Sequence, residues 1–82
     1  MKVFLTPKAQ KDFKKLPPEI ASRISQSLDK LERDSVARNS LKLTGQPGYR
    51  LRMGDFRILY VIDAKEKAIF VIRLAHRREV YR

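Results

Sequence analysis

The chain contains no cysteine and no tryptophan, and among its 82 residues there is one histidine, with three glycines and four prolines. Without cysteine there is no disulfide framework, no thiol nucleophile and no thiolate zinc site, and a lone histidine argues against a histidine-based metal centre. No metal and no cofactor is therefore expected. Long apolar runs are missing too, and no signal peptide is visible, so the expectation is a cytoplasmic protein without a membrane partner. Acidic residues are scarce: 9 Asp plus Glu face 19 Lys plus Arg, a formal net charge of +10. Such an excess points to polyanions or acidic proteins as partners. The chain is not a disordered basic tail, because 43% of its residues are hydrophobic, enough to build a core. At this length it forms one domain, residues 1–82, and any active site should be shallow and open.

Residues Lys2 to Leu5 read as a short strand, and Thr6-Pro7 as an N-cap followed by proline in the first helical turn. Ala9, Phe13 and Leu16 then recur at helical spacing, with Lys8, Lys11, Asp12, Lys14 and Lys15 assigned to the solvent side, until Pro17-Pro18 interrupts. Ile20, Ile24, Leu28 and Leu31 form the apolar stripe of a second helix ending near Arg33. The two make a helical hairpin. Asp34 to Ser40 reads as loop, Leu41 to Leu43 as a locally packed stretch, and Thr44 to Gly48 as a cluster of turn residues.

From Tyr49 to Ala75 the composition changes to β-branched, aromatic and arginine residues, interrupted at Gly54-Asp55 and again between Asp63 and Lys67. This predicts three antiparallel strands. A two-residue turn at Gly54-Asp55 sets Met53 opposite Phe56, Arg52 opposite Arg57 and Leu51 opposite Ile58. Leu51, Met53, Phe56, Ile58, Tyr60 and Ile62 then face the helices, while Arg50, Arg52 and Arg57 face away. An odd-numbered second loop, such as 64–66, is preferred, because it sends Phe70, Ile72 and Leu74 to the core and Arg73 to the arginine side; an even loop would bury Arg73 at high cost. Phe4, Phe13, Phe56 and Phe70 read as core. The expected fold class is α+β: an N-terminal strand and helical hairpin packed on a small antiparallel sheet, with a short C-terminal tail from His76 to Arg82.

The basic residues are not evenly typed. Residues 1–48 carry seven lysines and three arginines, whereas 49–82 carry two lysines and seven arginines. Lysines on helices are ordinary solvated charge; arginine's planar fork matches phosphate oxygens bidentately. Arg52 opposite Arg57 is a like-charge pair that should weaken the hairpin, and an anion site is the reading that accounts for it. Tyr49 and Tyr81 are candidate platforms for splayed RNA bases, with Arg73 and Arg78 as further phosphate contacts and Lys8, Lys11 and Lys15 as docking charges. His76, whose unperturbed pKa is about 6.5, is the proton-transfer candidate. The plainer alternative, that these are solvated or packing residues, stays open for each.

The opening Lys2-Val3-Phe4-Leu5, the helical hairpin, the run from Leu43 to Tyr60 and the ending His76-Arg77-Arg78-Glu79-Val80-Tyr81-Arg82 together resemble the RelE/ParE superfamily of toxin–antitoxin systems, and within it the RelE-like branch. The resemblance covers essentially the whole chain. It implies a metal-independent endoribonuclease that cleaves mRNA in the ribosomal A site by attack of a 2′-hydroxyl on the adjacent phosphate. It also implies an acidic, RelB-like antitoxin as partner. Family positions carry over to Arg50, Arg52, Arg57, Arg77 and Tyr81. Where relatives have lysine or glutamate able to act as base, this chain has arginine at 50 and 52, which stays protonated; the proton transfer is therefore assigned to His76, with Tyr81 positioning the base or acting as acid. Two alternatives remain: a ParE-like topoisomerase inhibitor without nuclease activity, and a non-catalytic RNA-binding or ribosome-binding module.

Overall fold

The computed structural model describes residues 1–35 and 40–76. Strand β1 (Lys2–Leu5) leads into helices α1 (Pro7–Lys14) and α2 (Pro18–Arg33), followed by β2 (Ser40–Lys42), β3 (Tyr49–Met53), β4 (Phe56–Asp63) and β5 (Ala68–His76). The strands form one sheet in the order β1-β5-β4-β3-β2. It is a mixed sheet: β1 runs parallel to β5, and the other pairings are antiparallel. The α+β class holds. The stretch expected to pack only locally around Leu41 contributes an edge strand.

Local chemistry explains the helix ends. The Thr6 side chain accepts the Ala9 amide at 3.3 Å and donates to the Val71 carbonyl at 3.0 Å, so the N-cap also ties α1 to β5. Pro18 starts α2, since the first turn needs no amide donor there. Ala9, Ile24 and Leu31 from the helices pack with Leu51, Ile58, Tyr60, Ile69, Val71 and Leu74 from one face of the sheet. Each large fully buried side chain contributes roughly 1.5–3 kcal/mol relative to exposure. Leu51, Met53, Phe56, Ile58, Tyr60 and Ile62 all lie on this face, as their alternation predicts.

On β5 the expected phase is corrected. Asp63 pairs with Ala68, so the loop 64–67 has four residues, an even number, closed by Lys67 at φ +53°. Ile69 and Val71 thereby enter the core, and Phe70 and Ile72 do not. The burial of Arg73 that an even loop threatens is avoided by a bulge: Tyr60 pairs with Val71 but Leu59 with Arg73, leaving Ile72 as an inserted residue. Parity flips there, and Leu74 returns to the core. Phe4 and Phe70 stack on each other with centroids 5.7 Å apart on the face away from the helices, and Phe4 is 47% exposed. Both are corrected from core to outer face.

Candidate functional site

Gly54 occupies the first central position of the β3–β4 turn at φ +58°, a conformation glycine adopts without strain and the one a type II′ hairpin requires there. The turn fixes the register, which sets Arg52 opposite Arg57 and Arg50 opposite Leu59. Since Leu51 and Ile58 point to the helices, the three arginines share the opposite face. Arg52 is exposed and Arg50 half-buried, but Arg57 is only 6% exposed. Its Nη1 donates to the carbonyls of Phe56 at 3.3 Å and Gly54 at 3.5 Å. Among the described residues no carboxylate pairs with it. A shielded guanidinium facing a second arginine is the strongest anion-seeking feature of this face.

Arg73 begins on the same face, opposite Leu59, but its Nε lies 3.5 Å from Asp12 Oδ2. Its side chain is thus drawn to the sheet edge beside α1, away from the other three. His76 is placed on the helix-side face, opposite Phe56, with the two rings edge-on at 5.4 Å. Strand alternation beyond the bulge puts Leu74 and His76 together and separates both from the arginines. Tyr49 is likewise on the helix side, stacked on Tyr60 with centroids 5.5 Å apart. His76, the proton-transfer candidate, and Tyr49, the base-platform candidate, therefore both lie on the opposite face from Arg50, Arg52 and Arg57. Arg77, Arg78 and Tyr81 lie outside the described residues.

A second polar centre was missed from the sequence. Asp12, expected on the solvent side of α1, is 7% exposed. Its carboxylate accepts the Leu74 amide at 3.0 Å and pairs with Lys8 at 3.2 Å. Burial raises the Asp12 pKa, but the Leu74 amide, Lys8 and Arg73 together outweigh it and hold the group below its ordinary value. The available signal was its spacing: Asp12 is three residues after Ala9 and four before Leu16, on the inward stripe. Lys8 and Lys15 line a groove here with Arg73 and His76, whereas Lys11 is exposed and does not. Among the described residues no group of three or more His, Asp or Glu side chains could hold a metal ion, and no helix is long and apolar enough to cross a membrane.

Comparison with known proteins agrees with this architecture. The family model for the ParE toxin of the type II toxin–antitoxin system parDE matches residues 3–81. Toxin RelG of Mycobacterium tuberculosis is 30% identical over 98% of this chain and 94% of its own length. Among solved structures, the RelBE2 toxin–antitoxin complex of Mycobacterium tuberculosis superposes with a TM-score of 0.83 at 28% identity, covering 92% of this chain and 95% of that one. The archaeal RelE–RelB complex of Pyrococcus horikoshii gives 0.78 at 30% identity, with 93% of each chain covered. The chain belongs to the RelE/ParE family of type II toxin–antitoxin toxins, and within it is RelE-like.

Proposed function

We propose that this toxin is a ribosome-dependent endoribonuclease that cuts mRNA in the A site, and that Arg50, Arg52 and Arg57 hold the scissile phosphate. The observation that carries the reading is Arg57, nearly closed to solvent, facing Arg52 and without a carboxylate partner among the described residues. In the reaction a ribose 2′-oxygen attacks the adjacent phosphorus and the bond to the 5′-oxygen breaks, leaving a 2′,3′-cyclic phosphate and a 5′-hydroxyl. The arginines stabilise the extra negative charge on the phosphorane-like transition state, where fixed donors act most strongly. Arginine is not a base at either 50 or 52, and His76 lies on the other face, so the 2′-proton passes to solvent or to ribosomal RNA. Arg77 and Tyr81 complete the proposed site on the family resemblance, with Tyr81 positioning the base or protonating the 5′-oxygen.

The partner proposed for the toxin is an acidic RelB-like antitoxin. RelE relatives have been solved as complexes with RelB, and a net charge of +10 is relieved by a partner of opposite sign. The matching family model bears the ParE description, so topoisomerase inhibition is the second reading. Primer extension on mRNA recovered after expression separates the two. The nuclease reading requires in-frame cuts with the wild-type chain and about 100-fold fewer with Arg57→Ala. Intact mRNA together with blocked DNA supercoiling would replace it with the second.

A further inference from the structure

We propose that the groove between α1 and the end of β5 binds a single unstacked nucleotide of the ribosome-bound RNA, on the opposite side of the sheet from the cleavage arginines. This rests on the RNA-directed reading above and adds to it a second RNA site with its own residues. The groove has a volume of about 230 Å³, below the roughly 300–1,000 Å³ of sites for drug-sized ligands, so it admits one base with its phosphate left at the rim and not a helix or a folded loop.

Its charge and its walls together select the ligand. Lys8, Lys15 and Arg73 bring three cations to the groove against one carboxylate, Asp12. That carboxylate is 7% exposed and engaged by the Leu74 amide, Lys8 and Arg73, so the groove keeps a net charge of +2. An incoming phosphate therefore meets the rim cations and not the acid beneath them. Of the remaining walls, Leu16, Pro17 and Leu74 are apolar, and Phe56 and His76 bring two rings set edge-on to each other. A planar base suits such a slot, and stacking on aromatic side chains tolerates any base sequence. A peptide carboxylate would satisfy the cations equally well but would leave these apolar and aromatic walls without a matching surface.

Position gives the site its role. RNA held here cannot be the phosphodiester clasped by Arg52 and Arg57, because the sheet lies between. The groove therefore docks the toxin on the RNA that surrounds the substrate, and it contributes to KM more than to kcat. His76 thus acts through binding, as a wall of this slot.

The test is an NMR titration of the full-length Arg57→Ala chain, which weakens the competing arginine site, with adenosine 5′-monophosphate, adenosine, inorganic phosphate and a poly-glutamate peptide at constant ionic strength. The expected result is saturable shifts of the Phe56 and His76 ring signals, reached at a lower concentration with the nucleotide than with phosphate or adenosine. Lys15→Glu should weaken nucleotide binding at least tenfold. Lys65→Glu, the same charge change in the 64–67 turn, should weaken it less than twofold. His76→Leu should reduce nucleotide affinity to that of inorganic phosphate. Equal losses from the two lysine variants, shifts that follow phosphate alone, or tighter binding of the glutamate peptide would each overturn the proposal. The two readings fail differently on programmed ribosomes. No cleavage by the parent chain defeats the nuclease reading, whereas cleavage with an unchanged KM in Lys15→Glu defeats only the groove.

Discussion

The Asp12 carboxylate accepts the Leu74 amide across 62 residues of sequence, at 3.0 Å. β1 pairs with β5 only as far as Leu5 and Val71, and the bulge at Ile72 follows immediately. Beyond it, among the described residues, β5 has no strand on that side, and an unpaired edge amide in a partly buried setting is costly. The side chain of α1 supplies the missing acceptor. The same carboxylate draws Arg73 to the edge, so one acidic residue closes the strand and thins the arginine face to three.

Replacing Asp12 by Asn keeps an acceptor for Leu74 but removes the pairing with Lys8 and Arg73. Because the folded-state pKa lies below the unfolded one, the stabilisation is present in full above the unfolded carboxylate value of about 3.9 and is lost as pH falls through the lower folded value. Urea denaturation between pH 7 and pH 2 should therefore show the wild type more stable than Asp12→Asn at neutrality, with the gap closing at the acid end. A gap independent of pH would mean that the charge of Asp12 contributes nothing.

Tyr60 is a second long-range tie. Its hydroxyl donates to the Ser35 carbonyl at 2.9 Å and receives the Ser40 hydroxyl at 2.7 Å, linking the end of the helical hairpin to the edge strand. Tyr60→Phe leaves both partners unsatisfied and should cost about 1–2 kcal/mol; thermal unfolding should fall by about 4–8 °C for each kcal/mol. Burial raises the Tyr60 pKa, only partly offset by the bond from Ser40. Its contribution is present in full below the unfolded value of about 10 and is lost as pH rises through the higher folded value. The phenylalanine variant should lack that alkaline loss.

The sequence made the arginine face legible because Gly54-Asp55 is a strong turn signal and alternation does the rest: Arg52 opposite Arg57 follows from two residues. The helical hairpin was legible for similar reasons, from a double proline and the spacing of Ile20, Ile24, Leu28 and Leu31. The phase of β5 was not. Two one-residue shifts, a second loop of four residues where an odd number was expected and the Ile72 bulge, cancel beyond residue 72, so Arg73 is kept from the core while Phe70 is expelled from it. Bulges depend on what packs against the strand, here Thr6 and Asp12, and such contacts leave no local pattern in the strand itself. The face of His76 was legible, since the two shifts cancel before it and alternation from Leu74 puts it on the helix side; its proton-transfer assignment rested on its pKa and its neighbours Arg77 and Arg78 instead. Asp12 was hidden by its type, because an acidic residue among lysines reads as solvated charge.

Gly48 should be among the most sensitive backbone positions. It sits at φ +119°, and a Cβ built there would lie 2.8 Å from the Tyr60 carbonyl oxygen. That contact is to backbone and cannot relax by a rotamer change, so Gly48→Ala should cost about 2 kcal/mol or more. Gly45 offers the comparison: at φ +75° with open space around it, Gly45→Ala meets only the left-handed penalty of about 1–2 kcal/mol. Urea midpoints for the two variants should therefore differ, with Gly48→Ala the lower. Equal midpoints would show that the approach of residue 48 to β4 is loose.

Arg57 offers the sharpest separation of stability from activity. A cation that is 6% exposed, held by two long carbonyl bonds and set opposite Arg52, is a poor contributor to folding. Substitution of buried charges by apolar groups of similar volume is often neutral or stabilising by about 1–4 kcal/mol. Arg57→Met should accordingly unfold at the same or a higher temperature than the wild type, since it also removes a like-charge cross-strand pair. If the guanidinium stabilises the transition state, the same variant should lose about 100-fold or more in single-turnover cleavage on programmed ribosomes. Binding to ribosomes should fall much less, because the contact tightens as charge develops on the phosphate. A variant that unfolds early would identify Arg57 as structural, and one that binds and cuts normally would remove it from the site; a stable, inactive, ribosome-binding variant is the outcome its proposed role predicts.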